Sequence, residues 1–552
     1  MFKPSHVAFA LLATTQAAQA QQVPSAGTQL QQLPQPPAAE RLVPDLLIPQ
    51  TAPSTEPSGG PSVVVQSLRV TGQTIFSEAD LVAASGFSPG GQMSFSQLQA
   101  LAARISAHYH ARGYFLAQAY LPEQDVQAGA VMINVIEGRY GKIDVRNGAR
   151  IADTVPARVL RGLEPGDLVT HAPLERRLLL LSDIPGVRTK ATLAPGAQVG
   201  TSDLVVDVAP GPLISGNLEA DNAGSRYTGE YRFGGTINFN NPLGIGDMLS
   251  VRLLASDGGL AYGRASYQLP VGNLTLGVAY AHLRYSLGRE FEVLDGSGTA
   301  DIFSGYASYP LIRSRRANLY ALGGIDYKIL RDRIGVVPAD SHKRITAGTL
   351  GLAGDWRDGL AGSNVFSIGW TTGDLNIRSA AERAVDLTTA HSAGHFNKVQ
   401  GSFARLQPVT GPLSLYGSVR GQYAFDNLDS SEKMELGGAY GVRAYPEGEA
   451  FGDSGYIATA EARLMLGGQR ETMPGQFELF SFVETGEVRF AKSPWFLGPN
   501  STRRSAYGAG LSWAGPEGFF IRATYARKLG TGPATSAPDR DGRFWFQIVK
   551  MF

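Results

Sequence analysis

The chain has 552 residues, and its 49 lysines and arginines are balanced by 48 aspartates and glutamates to a formal net charge of +1. A net charge this small does not indicate electrostatic binding of nucleic acid. The lack of cysteine excludes disulfides, thiolate metal sites and cysteine nucleophiles. Beyond the first 20 residues no apolar run approaches the ~20 residues that a membrane-spanning helix needs. Any membrane crossing must therefore use β-strands, and the length indicates several domains.

Residues 1–20 have the features of a secretory signal peptide. Lys3 supplies the basic start, an apolar stretch follows from Val7 to Ala13, and Ala18-Gln19-Ala20 matches an A-x-A cleavage site. We therefore predict export from the cytoplasm, to a compartment where ATP is not available as an energy source.

Residues 21–61 are rich in glutamine, proline, serine and alanine, and this composition predicts a linker rather than a folded domain. One short helix is predicted within it, from Ser25 to Leu33. Ser25 is a candidate N-cap, and Leu30 and Leu33 lie three residues apart on one face. Such a helix is marginal alone, so it needs a surface to pack against.

Residues 62–138 and 139–211 form an internal repeat. The segment GFSPG at residues 86–90 returns as GLEPG at residues 162–166. In the first unit Leu98, Leu101, Ile105 and Tyr109 mark the apolar face of a long helix. The pattern predicts two α+β modules in tandem, the first with strands at 63–70, 115–121 and 130–137 and helices at 78–84 and 95–112.

No motif in the chain predicts an enzyme. Ser88 stands in a Gly-x-Ser-x-Gly pattern typical of hydrolases, but its counterpart in the second unit is Glu164, so the motif is interpreted as a structural turn. His391 and His395 have a spacing that could hold a metal on a helix, but their polar, glycine-containing surroundings indicate a loop. We expect no catalytic residue, no metal site and no cofactor.

From residue 212 to residue 552 the periodicity changes from helical to alternating. Between residues 273 and 281 the apolar side chains Leu274, Leu276, Val278 and Tyr280 face one way and small or polar residues face the other. Alternation alone fits a soluble sandwich as well as a membrane barrel. The export signal and the absence of long helical segments favour the barrel, and at roughly 20 residues per strand this region holds about sixteen strands.

The last strand ends in a C-terminal phenylalanine. One face of this strand carries the apolar residues Phe544, Phe546, Ile548 and Phe552. Lys550 lies on the same face and is charged, where the pattern predicts an apolar residue. This ending resembles the terminal strand by which the barrel assembly machinery recognises outer-membrane proteins, so we predict Phe552 as an assembly signal.

A glycine-rich segment over residues 437–448 carries one arginine, Arg443. About 40 residues later Glu484 lies in a strand pattern. A guanidinium that meets a carboxylate inside a barrel would form a strong, directional clamp. The alternative is that Arg443 is a solvent-exposed loop arginine.

With the tandem modules, these segments resemble the TpsB transporters of two-partner secretion, the ShlB/FhaC/HecB type, in the superfamily that includes BamA. The resemblance covers essentially the whole chain. It implies an all-β transmembrane barrel of about sixteen antiparallel strands, preceded by two α+β POTRA domains. The family's V-R-G-Y loop motif is matched by Val442, Arg443, Ala444 and Tyr445, and its F-x-D-x-G strand motif is matched by Phe482, Glu484 and Gly486. Ala444 replaces a glycine, which raises the question whether this position needs a positive φ.

The resemblance implies an outer-membrane pore with its POTRA domains in the periplasm. These domains would bind an unfolded TpsA-like exoprotein, by strand addition near residues 130–137 and 204–208, and the barrel would pass it outward without ATP. The helix at Ser25 to Leu33 would plug the lumen, and Arg443 would fold inward onto Glu484. We expect outer-membrane lipids and the barrel assembly machinery as further partners, no nucleic acid, and a monomer.

Two other functions fit parts of the sequence. A BamA-like outer-membrane protein insertase is the first alternative, and the presence of only two modules argues against it. A passive porin is the second, but a porin needs no periplasmic modules. The sequence leaves the exoprotein's identity, the strand ends and the open pore size undetermined.

Overall fold

The computed structural model describes residues 23–34, 45–47, 62–126, 128–336, 339–466 and 474–552. Within these ranges no helix has the length and hydrophobicity needed to span a membrane. The predicted signal peptide, residues 1–20, lies outside the described residues. The first described elements are helix α1 (Ala26–Gln31) and the short strand β1 (Asp45–Leu47).

The first module is a small α+β unit. Strands β3, β6 and β5 form its sheet, and β2 pairs with β4. Leu98, Leu101, Ile105 and Tyr109 are buried as predicted, so the apolar face of the long helix is confirmed. The elements are β2 (Ser62–Val65), β3 (Ser67–Thr71), α2 (Glu78–Ser85), β4 (Gly91–Ser94), α3 (Phe95–Ala111), β5 (Gln118–Tyr120) and β6 (Ala130–Ile136).

The second module repeats this plan. Its sheet has the order β1-β8-β9-β7, so strand β1 from the linker forms one edge, pairing parallel to β8 with Leu46 opposite Ala191. The glycines of the repeated turn adopt positive φ in both modules, and Ser88 is an exposed turn residue, as expected of a structural turn. The elements are β7 (Arg139–Asn147), α4 (Thr154–Val159), α5 (His171–Ser182), β8 (Val187–Pro195) and β9 (Thr201–Pro210).

Three details of the sequence interpretation were wrong. The strand predicted over residues 63–70 is two strands, because the N–H of Gln66 leaves the ladder and donates to the carbonyl of Gly129 at 2.7 Å. The strands expected to bind an added strand, β6 and β9, lie in the interior of their sheets, where both edges are already paired. His395 lies in a strand rather than a loop.

The rest of the chain forms a closed barrel of sixteen strands, β10 to β20 and β23 to β27, in which every neighbouring pair is antiparallel. Strand β27 closes the barrel against β10, and the backbones of Phe552 and Gly216 exchange hydrogen bonds of 2.9 and 3.0 Å. The strands are β10 (Ile214–Asp221), β11 (Arg232–Asn240), β12 (Met248–Ser256), β13 (Ala261–Val271), β14 (Leu274–Ser286), β15 (Gly296–Arg313), β16 (Ala317–Ile334), β17 (Ala339–Arg357), β18 (Ser363–Ile377), β19 (Gly394–Thr410), β20 (Leu413–Ala424), β23 (Ser454–Leu466), β24 (Gln476–Arg489), β25 (Ser501–Ala514), β26 (Phe519–Lys528) and β27 (Gly542–Met551).

The predicted alternation has its apolar face outward. Leu276, Val278 and Tyr280 are exposed on the outer wall, whereas Ala279 and Ala281 are buried inside. An outward apolar wall and an inward polar one are the reverse of a soluble sandwich and are typical of a transmembrane barrel. The fold class predicted from the sequence is therefore confirmed.

The second module packs against one end of the barrel, here called the near end. The guanidinium of Arg313 binds the carboxylate of Asp183 through two bonds, of 2.7 and 2.8 Å, and Asn241 donates to the carbonyl of Arg150 at 2.7 Å. The opposite, far end carries most of the long connections, one of which contains helix α6 (Ala380–Asp386).

Glu137 joins three parts of the first module, and its charge state matters for stability. Its buried carboxylate accepts hydrogen bonds from the N–H groups of Thr74 at 2.6 Å and Ile75 at 3.0 Å and from the Tyr109 hydroxyl at 3.0 Å. Burial opposes ionisation, but these bonds outweigh it and lower the pKa of Glu137 below its usual value near 4.5. The stabilisation is therefore present above that value and is lost as the pH falls through the lowered pKa.

Replacing Glu137 by glutamine should destabilise the first module by about 1–3 kcal/mol, because charged hydrogen bonds are lost in a buried site. Hydrogen exchange of residues 62–137 in the intact protein should accelerate at neutral pH, and should depend less on acidification than in the wild type. Glu123→Gln, at an exposed position, is the control. Equal protection in both variants would show that Glu137 contributes nothing.

Candidate functional site

The connection between β20 and β23, residues 425–453, turns back into the barrel. It contains a 3₁₀ turn (Ser430–Glu432) and a hairpin of β21 (Met434–Glu435) and β22 (Phe451–Gly452). Most of its residues are buried, and its charged side chains bind partners on separate strands of the barrel wall. We call residues 425–453 the inward loop.

Arg443 lies at the tip of the inward loop and is bound from several sides. Its Nε donates to Glu484 Oε2 at 2.8 Å, and its backbone N–H donates to the other oxygen of Glu484. A terminal nitrogen donates to Glu461 Oε1 at 3.0 Å, and the guanidinium carbon lies 3.5 Å from the centroid of the Phe482 ring. The Trp545 indole N–H donates to the carbonyl of Arg443 at 2.7 Å. Arg443 is 8% exposed, so it is not the solvent-exposed arginine of the alternative interpretation.

Arg443 belongs to a larger cluster of charges. Glu461 also accepts two hydrogen bonds from Arg463, at 2.6 and 2.9 Å, and lies 3.7 Å from Arg522. Three guanidiniums and two carboxylates, those of Arg443, Arg463, Arg522, Glu461 and Glu484, thus form one cluster. Removing one charge from such a cluster leaves its partner buried and unpaired, which costs about 3–5 kcal/mol.

The residues beside Arg443 fix the loop that presents it. Val442 and Tyr445 are fully buried, and the Tyr445 hydroxyl donates to the carbonyl of Gly532 at 3.1 Å. Ala444 is buried and does not have a positive φ. Alanine therefore replaces the family's glycine here without the backbone strain that the sequence left open.

Two carboxyl groups hold the base of the inward loop together. Glu435 accepts a hydrogen bond from the backbone N–H of Gly448, and Glu447 accepts one from the N–H of Ala439 at 2.8 Å. Burial raises the pKa of Glu447 to about 7, despite the opposing charge of Arg232, and also raises the pKa of Glu435 well above its usual value. The two carboxyls are hydrogen-bonded to each other, so the closed loop favours a proton between them.

Three lysines attach the inward loop to another part of the barrel wall. Lys343 binds Asp429 at 3.0 Å, while Lys328 and Lys398 bind Glu432 at 2.6 and 2.9 Å. The lysines project from β16, β17 and β19, and the Arg443 cluster lies on β23 and β24. The inward loop therefore crosses the lumen between two sets of ion pairs.

Helix α1 packs on the inward loop, in the far half of the lumen. Ser25 caps the helix and its hydroxyl lies 3.0 Å from that of Ser430. The N–H of Ala26 donates to Asp332 on β16 at 2.7 Å. A Cβ added to Gly27 would lie 2.7 Å from the backbone nitrogen of Ser431, so only glycine fits this contact.

The apolar face of α1 contacts the barrel wall. Leu30 and Leu33, which the sequence placed on one face, pack against a buried cluster that includes Leu283, Leu330 and Ile345. A six-residue helix is unstable alone, and the wall and the inward loop supply the contacts that it needs. Together, α1 and the inward loop occupy the lumen.

The structure brings most of the predicted site residues together. Val442, Arg443, Tyr445, Phe482 and Glu484 meet in or beside the Arg443 cluster. Gly486 lies two residues beyond Glu484, on the same face of β24. A Cβ added there would meet Leu436 of the inward loop at 2.7 Å. Phe552 is not part of the cluster, and its side chain is exposed on the outer wall.

Sequence reasoning missed Glu461, Trp545, and the lysine contacts of Asp429 and Glu432. Glu461 shares the inward face of its strand with Arg463, and two opposite charges on the face that points into a barrel were an available signal. Lys328 also shares the inward face of its strand with Asp326 and Asp332, but the lysines meet their partners on the inward loop only after barrel closure.

A barrel with an apolar exterior is built to lie in a lipid bilayer, and a loop held across its lumen by buried ion pairs closes a channel. These features define a channel-forming outer-membrane transporter. Residues 200–511 match the family of haemolysin secretion/activation proteins ShlB/FhaC/HecB, and residues 63–138 match the ShlB-type POTRA domain. The chain belongs to this ShlB/FhaC/HecB family.

Individual proteins agree with this assignment. The heme/hemopexin transporter protein HuxB of Haemophilus influenzae is 27% identical over 472 residues, which cover 84% of this chain and 82% of HuxB. The structure of CdiB from Escherichia coli superposes with a TM-score of 0.69 at 22% identity, covering 91% of this chain and 92% of CdiB. BamA from Haemophilus ducreyi, lacking POTRA domains 1–3, has the same fold with a TM-score of 0.53 at 15% identity, covering 89% of this chain and 100% of that one.

The family assignment confirms several expectations from the sequence. The chain is a TpsB-type transporter of two-partner secretion, its barrel lies in the outer membrane and its POTRA region lies in the periplasm. The near end of the barrel therefore faces the periplasm, and the far end faces the cell exterior.

Replacing Gly27 by leucine should open the channel. Leucine has the higher helix propensity, but its side chain cannot fit against Ser431, so α1 should leave the inward loop. Conductance across a planar lipid bilayer should rise relative to the wild type. Gly411→Leu, at a near-end turn where an added Cβ meets nothing within 4 Å, should leave conductance unchanged. A Gly27→Leu channel as closed as the wild type would contradict this role of α1.

Proposed function

We propose that the protein binds one unfolded exoprotein in the periplasm through its POTRA region and passes it through the barrel to the cell surface or medium. ATP is not used. The observation that carries the proposal is the lumen itself, which is occupied by α1 and the inward loop, two parts that do not belong to the barrel wall. Parts that are separate from the wall can be displaced while the barrel stays intact, which a transporter requires and a permanently closed barrel does not.

The lumen wall suits an extended polypeptide. Arg232, Arg252 and Arg420 face inward, and their neighbours in the lumen are carboxylates, amides and carbonyl oxygens. Such a surface exchanges hydrogen bonds with a hydrated backbone. Folding of the exoprotein outside the cell would then supply the direction.

The entry site is an edge of the second module. Strand β8 extends over residues 187–195, and among the described residues β1 pairs with three of them, Lys190 to Thr192. A strand of the exoprotein adds most readily to such an edge, and it would compete with β1. Because β1 and α1 belong to the same linker, binding at this edge would also release the segment that leads to the plug.

Deleting residues 45–47 should tighten binding of the exoprotein's N-terminal secretion domain by about tenfold, because the competing strand is lost. The affinity can be measured with the purified transporter in detergent. Deletion of residues 52–54 shortens the same linker equally and is the matched control. Equal affinities in the two deletions would exclude competition at β8.

Replacing Arg443 by alanine should abolish secretion and leave a folded barrel, because β10 and β27 close the barrel through backbone pairing, to which the Arg443 side chain does not contribute. Secretion is measured as exoprotein in the medium, and folding as heat-modifiable migration of the outer-membrane protein. Arg503→Ala, at an exposed outer-wall position, should secrete normally. Normal secretion by the Arg443→Ala variant would disprove the role assigned to the cluster.

The proposed function itself is tested by mass spectrometry of the medium and outer membrane of cells with and without the protein. Loss of one large protein from the medium alone would establish a dedicated transporter and identify its cargo. An unchanged medium with a general loss of barrel proteins would instead support the insertase alternative.

A further inference from the structure

The outer wall carries a group of arginines near the far end of strands β14 to β18. Alternate residues of a barrel strand face opposite sides, and Leu283, Leu330 and Ile345 are buried on the inner side. Their neighbours Arg284, Arg331 and Arg344 therefore face outward.

Strand register places several of these side chains in one row. Arg284 lies opposite Thr299, Thr299 lies opposite Arg331, and Arg331 lies opposite His342. The row continues to Arg378, whose backbone N–H donates to the carbonyl of His342 at 2.8 Å. With strands ~4.8 Å apart, the row extends for roughly 20 Å around the barrel.

The row has donors without acceptors. Among the described residues no carboxylate lies within the 4.0 Å of an ion pair from Arg284, Arg344 or Arg378. The Nε of Arg344 and the Nε2 of His342 are buried and have no hydrogen-bond partner in the part of the chain described. The guanidinium donors, which carry a positive charge, favour an anionic ligand from outside the chain.

Acidic groups on this part of the wall do not neutralise the row. Asp301 already accepts the Tyr280 hydroxyl at 2.8 Å and contacts the His282 ring at 2.8 Å, and it lies 3.8 Å from Arg331. Five outward-facing arginines stand here against three aspartates. The arginines are Arg284, Arg331, Arg333, Arg344 and Arg378, and the aspartates are Asp301, Asp340 and Asp374.

The row lies at the height of lipid headgroups. Tyr280, Phe303 and Tyr327 form another cross-strand row, four residues nearer the barrel centre, and below it Ile325 and Leu350 are exposed. Aromatic rows mark the edge of the apolar band in such barrels. At ~3.3 Å per residue and with tilted strands, the arginines lie about 10 Å beyond that edge.

We propose that this surface, defined by Arg284, Arg331, His342, Arg344 and Arg378, binds the phosphorylated headgroup of an outer-leaflet lipid of the lipopolysaccharide class. Guanidiniums bind phosphate through paired hydrogen bonds, and the spacing of the row suits a headgroup with more than one phosphate. The surface is on the outer wall, so its ligand is a lipid neighbour of the barrel and not the polypeptide in the lumen.

The test measures the affinity of the purified, detergent-solubilised protein for lipopolysaccharide and for the same lipopolysaccharide after phosphatase treatment. The variant carries Arg284→Gln, Arg331→Gln and Arg378→Gln. The matched control carries Arg489→Gln, Arg503→Gln and Arg527→Gln, three exposed arginines of the far-end wall on β24 to β26. Heat-modifiable migration confirms that each variant is folded, and Arg378→Gln alone, outside the strands, is the fallback if the triple variant does not fold.

We expect the row variant to bind at least about tenfold more weakly, the control to stay within about twofold of the wild type, and dephosphorylation to weaken wild-type binding as much as the row variant does. Equal loss in the control would mean unspecific attraction to positive charge and would overturn the proposal. So would unchanged binding by the row variant, or inorganic phosphate competing at the same concentration as the lipid.

Discussion

The structure depends on one constraint: a guanidinium buried in the barrel lumen must be neutralised there. Arg443 reaches two carboxylates on adjacent strands, and its backbone and aromatic contacts fix its orientation. This holds the tip of a 29-residue connection, residues 425–453, inside the lumen. The lysines that bind Asp429 and Glu432 hold its other side. Removing one partner of a buried ion pair leaves the other charge unpaired and is strongly destabilising, whereas hydrating both partners recovers their desolvation penalty. Such a closure can therefore be stable at rest and still open when water and polypeptide enter.

Helix α1 depends on the inward loop for its stability. Its glycine contact, its cap and its apolar face are each complementary to the inward loop or to the wall beside it, and it is too short to fold without them. The linker then continues to β1 on the edge of the second module. One chain segment thus connects the edge proposed as the entry site to the lumen, so that displacement of β1 would act on α1 without a change in the barrel itself.

The fold could be predicted from the sequence because each region of the chain has its own pattern. These patterns are a signal peptide at the N-terminus, a repeated turn in the two modules and period-2 alternation in the barrel. Sequence reasoning reached Arg443 and Glu484 because glycine-rich motifs surround them. It missed Glu461, although the opposite charge of Arg463 lies on the same face of that strand. It could not identify Trp545 or the lysine contacts, since barrel closure brings these together from strands far apart in the chain. The strand-addition sites predicted on β6 and β9 were wrong for a related reason. Sheet order decides which strand is an edge, and the alternation of one strand carries no information about its neighbours.

The central claim is that α1 must leave the inward loop for secretion to occur. The chain contains no cysteine, and the hydroxyls of Ser25 and Ser430 lie 3.0 Å apart, so Ser25→Cys with Ser430→Cys offers a near-isosteric tether. Secretion by this double variant should stop under oxidising conditions and return on reduction, while each single variant secretes in both conditions. Undiminished secretion with the disulfide formed would contradict the claim.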